Sequence, residues 1–242
     1  LLGDAVVESA LGPMRERLAG LKAAAQQPVS TGEAQALKLV TILFTDIVGS
    51  TKVAERIDAE DMLELSSAAL TQLAAVVQAH QGRVLRFTGD GLKAVFGAVS
   101  VQEDDAERAV LCGLALQDAA RSLASSWSQR APGLHFAIRV GIHSGPVALG
   151  GGVEGDATVM GGTVNLAARM EQTAPPGGVR ISRDTFSQVH GLFDVDAEQA
   201  LSVKGVAEPV KTYVVLRARP RESRTNLRGI EGVTTRMIGR DA

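Results

Sequence analysis

The chain has 242 residues, 45% of them hydrophobic, with 25 basic against 27 acidic side chains and a net charge of −2. That suffices for one sizeable globular domain with flanking pieces, and it supplies no charge excess to draw nucleic acid or an acidic membrane. The single cysteine, Cys112, excludes an internal disulfide and a cysteine-based zinc site; with apolar runs too short for a bilayer and no signal peptide, a cytoplasmic protein is expected.

Opening on Leu1 rather than Met points to a segment of a longer protein. Within residues 1–27, Val7, Leu11, Met14, Leu18, Leu21 and Ala25 alternate gaps of four and three, the spacing of a coiled-coil seam. Gly12-Pro13 interrupts it, and roughly two heptads are too few to dimerise alone. An amphipathic helix is expected there, either a short dimer-supporting stalk or packed on the main domain. Residues 28–37 read as linker.

From Lys38 the patterns alternate: a strand over 38–45, a helix to about His80, a hairpin over 83–97 and a helix over 103–127. A strand over 134–141 continues towards Leu149, and Gly150-Gly151-Gly152 reads as a flexible break. A helix over 163–173, a strand over 179–182, a short helix over 183–190 and strands over 192–195 and 210–218 follow. Strand, helix, hairpin, helix, strand predicts an α+β fold with a ferredoxin-like βαββαβ antiparallel sheet and helices packed on it. The main domain is placed at 38–219, with 220–242 as a linker to a missing domain.

Three stretches carry chemistry. Thr41-Ile-Leu-Phe-Thr-Asp46-Ile-Val-Gly-Ser-Thr51 reads as a buried strand that delivers one carboxylate, Asp46, beside the glycine break at Gly49. A metal ligand and a helix cap are the two readings of that aspartate. In Arg83-Val-Leu-Arg-Phe-Thr-Gly-Asp90-Gly-Leu-Lys-Ala-Val-Phe-Gly97 a second aspartate sits at a hairpin tip, where it is also an ordinary turn residue. If the hairpin lies beside the first strand, Asp46 and Asp90 meet. Two carboxylates that close repel unless a cation neutralises them, and hard oxygens suit Mg²⁺ or Mn²⁺. The third stretch, Thr158-Val-Met-Gly-Gly-Thr-Val-Asn165-Leu-Ala-Ala-Arg169, puts Asn165 and Arg169 on one helix face. There they form either an exposed polar stripe or a site for a sugar oxygen and a phosphate. Lys204 is an isolated cation at a strand-to-turn junction.

Together the stretches resemble the catalytic domain of class III nucleotidyl cyclases. The matching residues are Phe44-Thr-Asp46-Ile-Val-Gly-Ser-Thr51, Phe87-Thr-Gly-Asp90-Gly91, Arg139-Val-Gly-Ile-His-Ser-Gly145, Gly161-Gly-Thr-Val-Asn165-Leu-Ala-Ala-Arg169 and Val203-Lys-Gly205, in family order. The resemblance implies a metal-dependent cyclase making 3′,5′-cyclic AMP and pyrophosphate from ATP at a homodimer interface. It implies two Mg²⁺ or Mn²⁺ ions per site, with Asp46, Asp90 and the Ile47 carbonyl as ligands. Asn165 would orient the ribose, Arg169 would offset charge at the α-phosphate and Lys204 would bind the β/γ-phosphates. The resemblance further implies Phe44, Gly49, Arg86 and Thr158 as substrate-binding positions.

Two positions depart from the adenylyl pattern. Arg86 stands where those enzymes usually have a base-recognising lysine, and a forked guanidinium does not simply replace an ammonium. Lowered activity, a shifted base choice, a degenerate site and a plain exposed strand arginine are the readings it leaves open. Thr158 stands where an aspartate is common, which resembles the branch that includes bicarbonate-responsive soluble cyclases. A guanylyl cyclase, and a non-catalytic module for dimerisation or nucleotide sensing, are the alternatives. His143, on a buried strand, is expected to be structural.

Overall fold

A computed structural model describes residues 37–50, 58–130, 136–151, 157–160, 162–202 and 208–220. The expected stalk over 1–27, most of the linker, the tail from 221 and Lys204 lie outside the described residues.

The elements in chain order are β1 (Leu37–Ile47), α1 (Ala59–Ala79), β2 (Arg83–Phe87), β3 (Leu92–Phe96), α2 (Asp105–Arg130), β4 (Ile138–Gly151) and β5 (Ala157–Met160). They continue with α3 (Gly162–Thr173), β6 (Val179–Ser182), α4 (Arg183–Gln188), β7 (Phe193–Val195), β8 (Gln199–Leu201) and β9 (Val210–Ala218). Among the described residues the strands form one sheet in the order β2-β3-β1-β4-β6-β9-β7, with β5 on β4 and β8 on β9. The first four strands pair antiparallel in the βαββαβ order the sequence predicts. The β4–β6 pair is parallel, so the sheet is not antiparallel throughout.

Alternation along β1 decides which layer each residue joins. Leu43 and Ile47 face one side, where α1 and α2 cover the sheet and bury Leu73, Val77, Val110, Leu116 and Trp127. Val40 and Ile42 face the other side, where Val95, Val147 and Ala167 of α3 complete a smaller cluster. Helix α3 lies directly on β4 because of two glycines. A methyl at Gly141 would overlap the Met170–Glu171 peptide, and one at Gly145 would sit 2.7 Å from Thr163 Oγ1.

Three expectations are corrected. Gly150 and Gly151 are not a break but the end of β4, held opposite Thr158 and Ala157 of β5. Strand β8, which carries little apolar pattern, was not foreseen; its partner β9 specifies it. One segment, Glu60–Ala79 of α1, is long and apolar enough by composition to cross a membrane. Its apolar stripe Leu65, Ala69, Leu73 and Val77 is buried in the core, although only 28% of the apolar stretch is buried, and Glu60, Asp61 and Glu64 lie towards its N-terminal end.

Candidate active site

Strand β1 carries Asp46 on the face occupied by Val40 and Ile42, one residue before its end. Beyond Ile47 the Val48 amide donates to Ala137 O at 2.8 Å, and Gly49 turns the chain at φ +73°. That positive φ is one glycine adopts without a Cβ penalty. The hairpin tip is closed by Thr88 N–H donating to Gly91 O at 2.8 Å, with Gly89 also at φ +73°. Pairing of β3 with β1 brings Leu92 opposite Thr45, so the tip comes down on the end of β1. The approach requires glycine at position 91: a Cβ there would overlap the Thr45 carbonyl oxygen and lie 3.2 Å from Asp46 Cα.

As a result the Asp46 and Asp90 carboxyls meet and share a hydrogen bond. Burial first, then that hydrogen bond, then the negative charges of Asp90 and Glu171 push the Asp46 carboxyl up to about 7, against the pull of Arg139. Two carboxyls this close repel when both are ionised, and a cation between them relieves that repulsion. The donor set therefore fits a hard divalent ion. Among the described residues no group of three His, Cys, Asp or Glu has the spacing of direct ligands, which leaves the remaining positions to water, backbone carbonyl or phosphate.

Arg139 of β4 stands opposite Asp46 in the register. It reaches the C-terminal turn of α3, donating from Nη1 to Gln172 O at 3.3 Å, with Nε 3.8 Å from Glu171 Oε1. Glu171 is 8% exposed, and burial raises its pKa, with Arg139 lowering it and Asp90 raising it. Neither Arg139 Nε nor Glu171 Oε1 has a hydrogen-bond partner. Sequence reasoning missed Glu171. The available signal was its place on the buried stripe Thr163, Ala167, Met170 and Glu171, where a carboxylate is unexpected.

The other predicted residues divide into two groups. Phe44 lies two residues before Asp46, half-buried, with Lys93 Nζ 6.0 Å from its ring centroid. Lys93 is in turn paired in register with both Phe44 and Arg86. Arg86 is exposed on β2, and burial first, then the charge of Arg86, lower the Lys93 pKa. The Ile47 side chain belongs to the core under α1 and α2. Asn165 and Arg169, by contrast, are exposed on the open face of α3, where Arg169 Nη1 donates to Gln172 Oε1 at 2.6 Å. Thr158 is in β5, opposite Gly150. His143 is buried with Nδ1 2.7 Å from Ser182 Oγ, and burial lowers its pKa, in keeping with a structural residue.

The profile of the family described as "Adenylate and Guanylate cyclase catalytic domain" matches residues 33–217. "Putative adenylate cyclase 3" of Rhizobium meliloti (strain 1021) is 34% identical over 178 residues, which are 73% of this chain and 28% of that protein. The chain thus spans under a third of that relative's length. The crystal structure of the adenylyl cyclase CyaB from P. aeruginosa superposes with a TM-score of 0.72 at 30% identity, covering 76% of this chain and 96% of that one. The guanylyl cyclase Cya2 superposes with a TM-score of 0.73 at 29% identity, covering 77% and 96%. With the βαββαβ sheet, the paired aspartates and this family match over most of its length, the chain belongs to the class III adenylate and guanylate cyclase catalytic domains.

Proposed function

We propose that the domain converts ATP to 3′,5′-cyclic AMP and pyrophosphate at a homodimer interface, with two Mg²⁺ or Mn²⁺ ions per site at Asp46, Asp90 and the Ile47 carbonyl. The observation that carries this reading is the convergence of Asp46 and Asp90, two carboxyls that strand register and Gly91 hold close enough to repel when both are ionised. Class III cyclases generally depend on divalent metal. Bound there, such ions would lower the pKa of the ribose 3′-hydroxyl and offset negative charge at the α-phosphate.

The chain's own groups divide the remaining work. Asp46 and Asp90 fix the position of the α-phosphate from one protomer. Asn165 and Arg169 are exposed on α3 and in this reading would reach the site of a second copy. There the amide would orient the ribose and the guanidinium would offset charge as the 3′-oxygen attacks phosphorus and pyrophosphate leaves. Lys204 would hold the β/γ-phosphates, and Phe44, Gly49, Arg86 and Thr158 would border the nucleotide. A dimer-supporting segment over 1–27, a linker that ends before β1 because Leu37 already pairs with Ala148, a connection over 220–242 to a further domain, and a cytoplasmic setting belong to the same proposal. A bicarbonate response, drawn from Thr158 alone, is a subsidiary proposal.

Arg86 favours a second reading. With arginine at the base-recognising position the domain would turn over ATP poorly, prefer GTP, or serve as a nucleotide-sensing dimerisation module. Incubating the purified protein and Arg86→Lys with ATP or GTP and Mn²⁺ decides between them. The expected result is cyclic AMP from the parent and more of it from Arg86→Lys. Cyclic GTP as the main product would make it a guanylyl cyclase. No cyclic nucleotide from either protein at high concentration would reject catalysis and leave the sensing module.

A further inference from the structure

Three carboxylates and one guanidinium crowd the end of β1, and two of them have no role in the reaction described above. Asp46 and Asp90 are the proposed metal ligands. Glu171 and Arg139 stand behind them, joined by the register of β4 against β1 and by the close packing of α3 on Gly141. An ordinary structural ion pair satisfies its own hydrogen-bonding groups. This one does not. Glu171 Oε1 and Arg139 Nε are 3.8 Å apart, beyond hydrogen-bond length, and both are buried without a partner. A buried carboxylate oxygen left unpaired is costly. Here it lies within electrostatic reach of both Asp46 and Asp90. It is nevertheless outside direct-ligand spacing with them.

We infer that Glu171 is a positioning residue of the metal centre: its unpaired oxygen accepts a hydrogen bond from a water on a cation held by Asp46 and Asp90, while Arg139 fixes its orientation. The arrangement has the chemistry of outer-shell groups elsewhere, which orient the ligands and waters around a metal and whose loss weakens binding by about 10–100-fold. Arg139 is suited to the orienting task because its Nη1 donates to the Gln172 carbonyl, which anchors the guanidinium beside Glu171. It also offsets part of the repulsion among three like charges. Without Gly141 the helix could not bring Glu171 this close to the strand.

The inference rests on the reading of Asp46 and Asp90 as metal ligands, and the test separates the two. Mn²⁺ binding is followed by electron paramagnetic resonance in the parent, Glu171→Gln, Asp90→Asn and the double variant Arg139→Gln/Glu171→Gln, with thermal unfolding of each. The expected result is a 10–100-fold weaker Mn²⁺ affinity in Glu171→Gln, with a melting temperature within a few degrees of the parent and near-complete loss of binding in Asp90→Asn. Removing both partners leaves neither member of the pair as a lone buried charge, so the double variant is expected to fold even if Glu171→Gln does not. It too is expected to bind Mn²⁺ weakly. Parent-like affinity in the folded Glu171→Gln or in the double variant would reduce the pair to a structural one and overturn the inference. Parent-like affinity in Asp90→Asn would instead overturn the metal-ligand reading itself.

Discussion

Substituting Gly91 by alanine is a sharp probe of how the two aspartates are brought together. The added methyl would overlap the Thr45 carbonyl oxygen and sit 3.1 Å from the Thr45 carbonyl carbon and 3.2 Å from Asp46 Cα. All three are backbone atoms of a core strand paired on both sides, so no side-chain rotation relieves the clash. The hairpin tip must retreat by roughly 1 Å to restore van der Waals separation. Overpacking of this kind costs about 1–3 kcal/mol of stability. The larger effect is on the site, because the tip carries Asp90, and a displacement of about 1 Å at a reacting centre lowers rate by about 100-fold. Gly89→Ala is the comparison. Its φ of +73° makes alanine strained, about 1–2 kcal/mol, but no atom lies within 4 Å of the new methyl, so nothing pushes Asp90 off Asp46. Melting temperature and Mn²⁺-dependent cyclic-nucleotide formation are measured for both. Parent-like turnover in Gly91→Ala would refute the idea that this close approach builds the site.

In the metal-free protein the folded chain holds the Asp46 proton up to about pH 7, while the unfolded chain releases it near 3.8. Its contribution to stability is therefore complete below pH 4 and is lost as pH rises through 7. With Asp46 half-exposed and screened, the loss is on the order of 1 kcal/mol. Asp46→Asn is expected to remove that part of the pH dependence in chelator-containing buffer; an unchanged pH profile of the melting temperature would contradict it. Each site is proposed to take its aspartates from one copy and Asn165 and Arg169 from the other. Mixing inactive Asp90→Asn with inactive Arg169→Ala should then restore about a quarter of parent turnover through random pairing. No recovery after mixing would place all four residues in one chain's site.

Local rules made much of this domain legible. The apolar run before Asp46 reads as a buried strand, Gly89-Asp90-Gly91 reads as a turn, and the spacing of Asn165 and Arg169 puts both on one helix face, because each feature depends on neighbours in the chain. What required tertiary structure was every relation between distant segments. The parallel pairing of β4 with β6 joins residues some forty positions apart. Gly150 and Gly151 remain in a strand because β5 lies against them. Glu171 reads in sequence as one more polar helix residue. Only the packing of α3 on Gly141 makes it a buried carboxylate whose Oε1 lacks a hydrogen bond and whose charge reaches Asp46. Sequence alone determined which chemical groups the domain possesses and which local element presents each one. Their convergence was decided by strand register and by two glycines that let backbone touch backbone, since the field at Asp46 depends on distances through space.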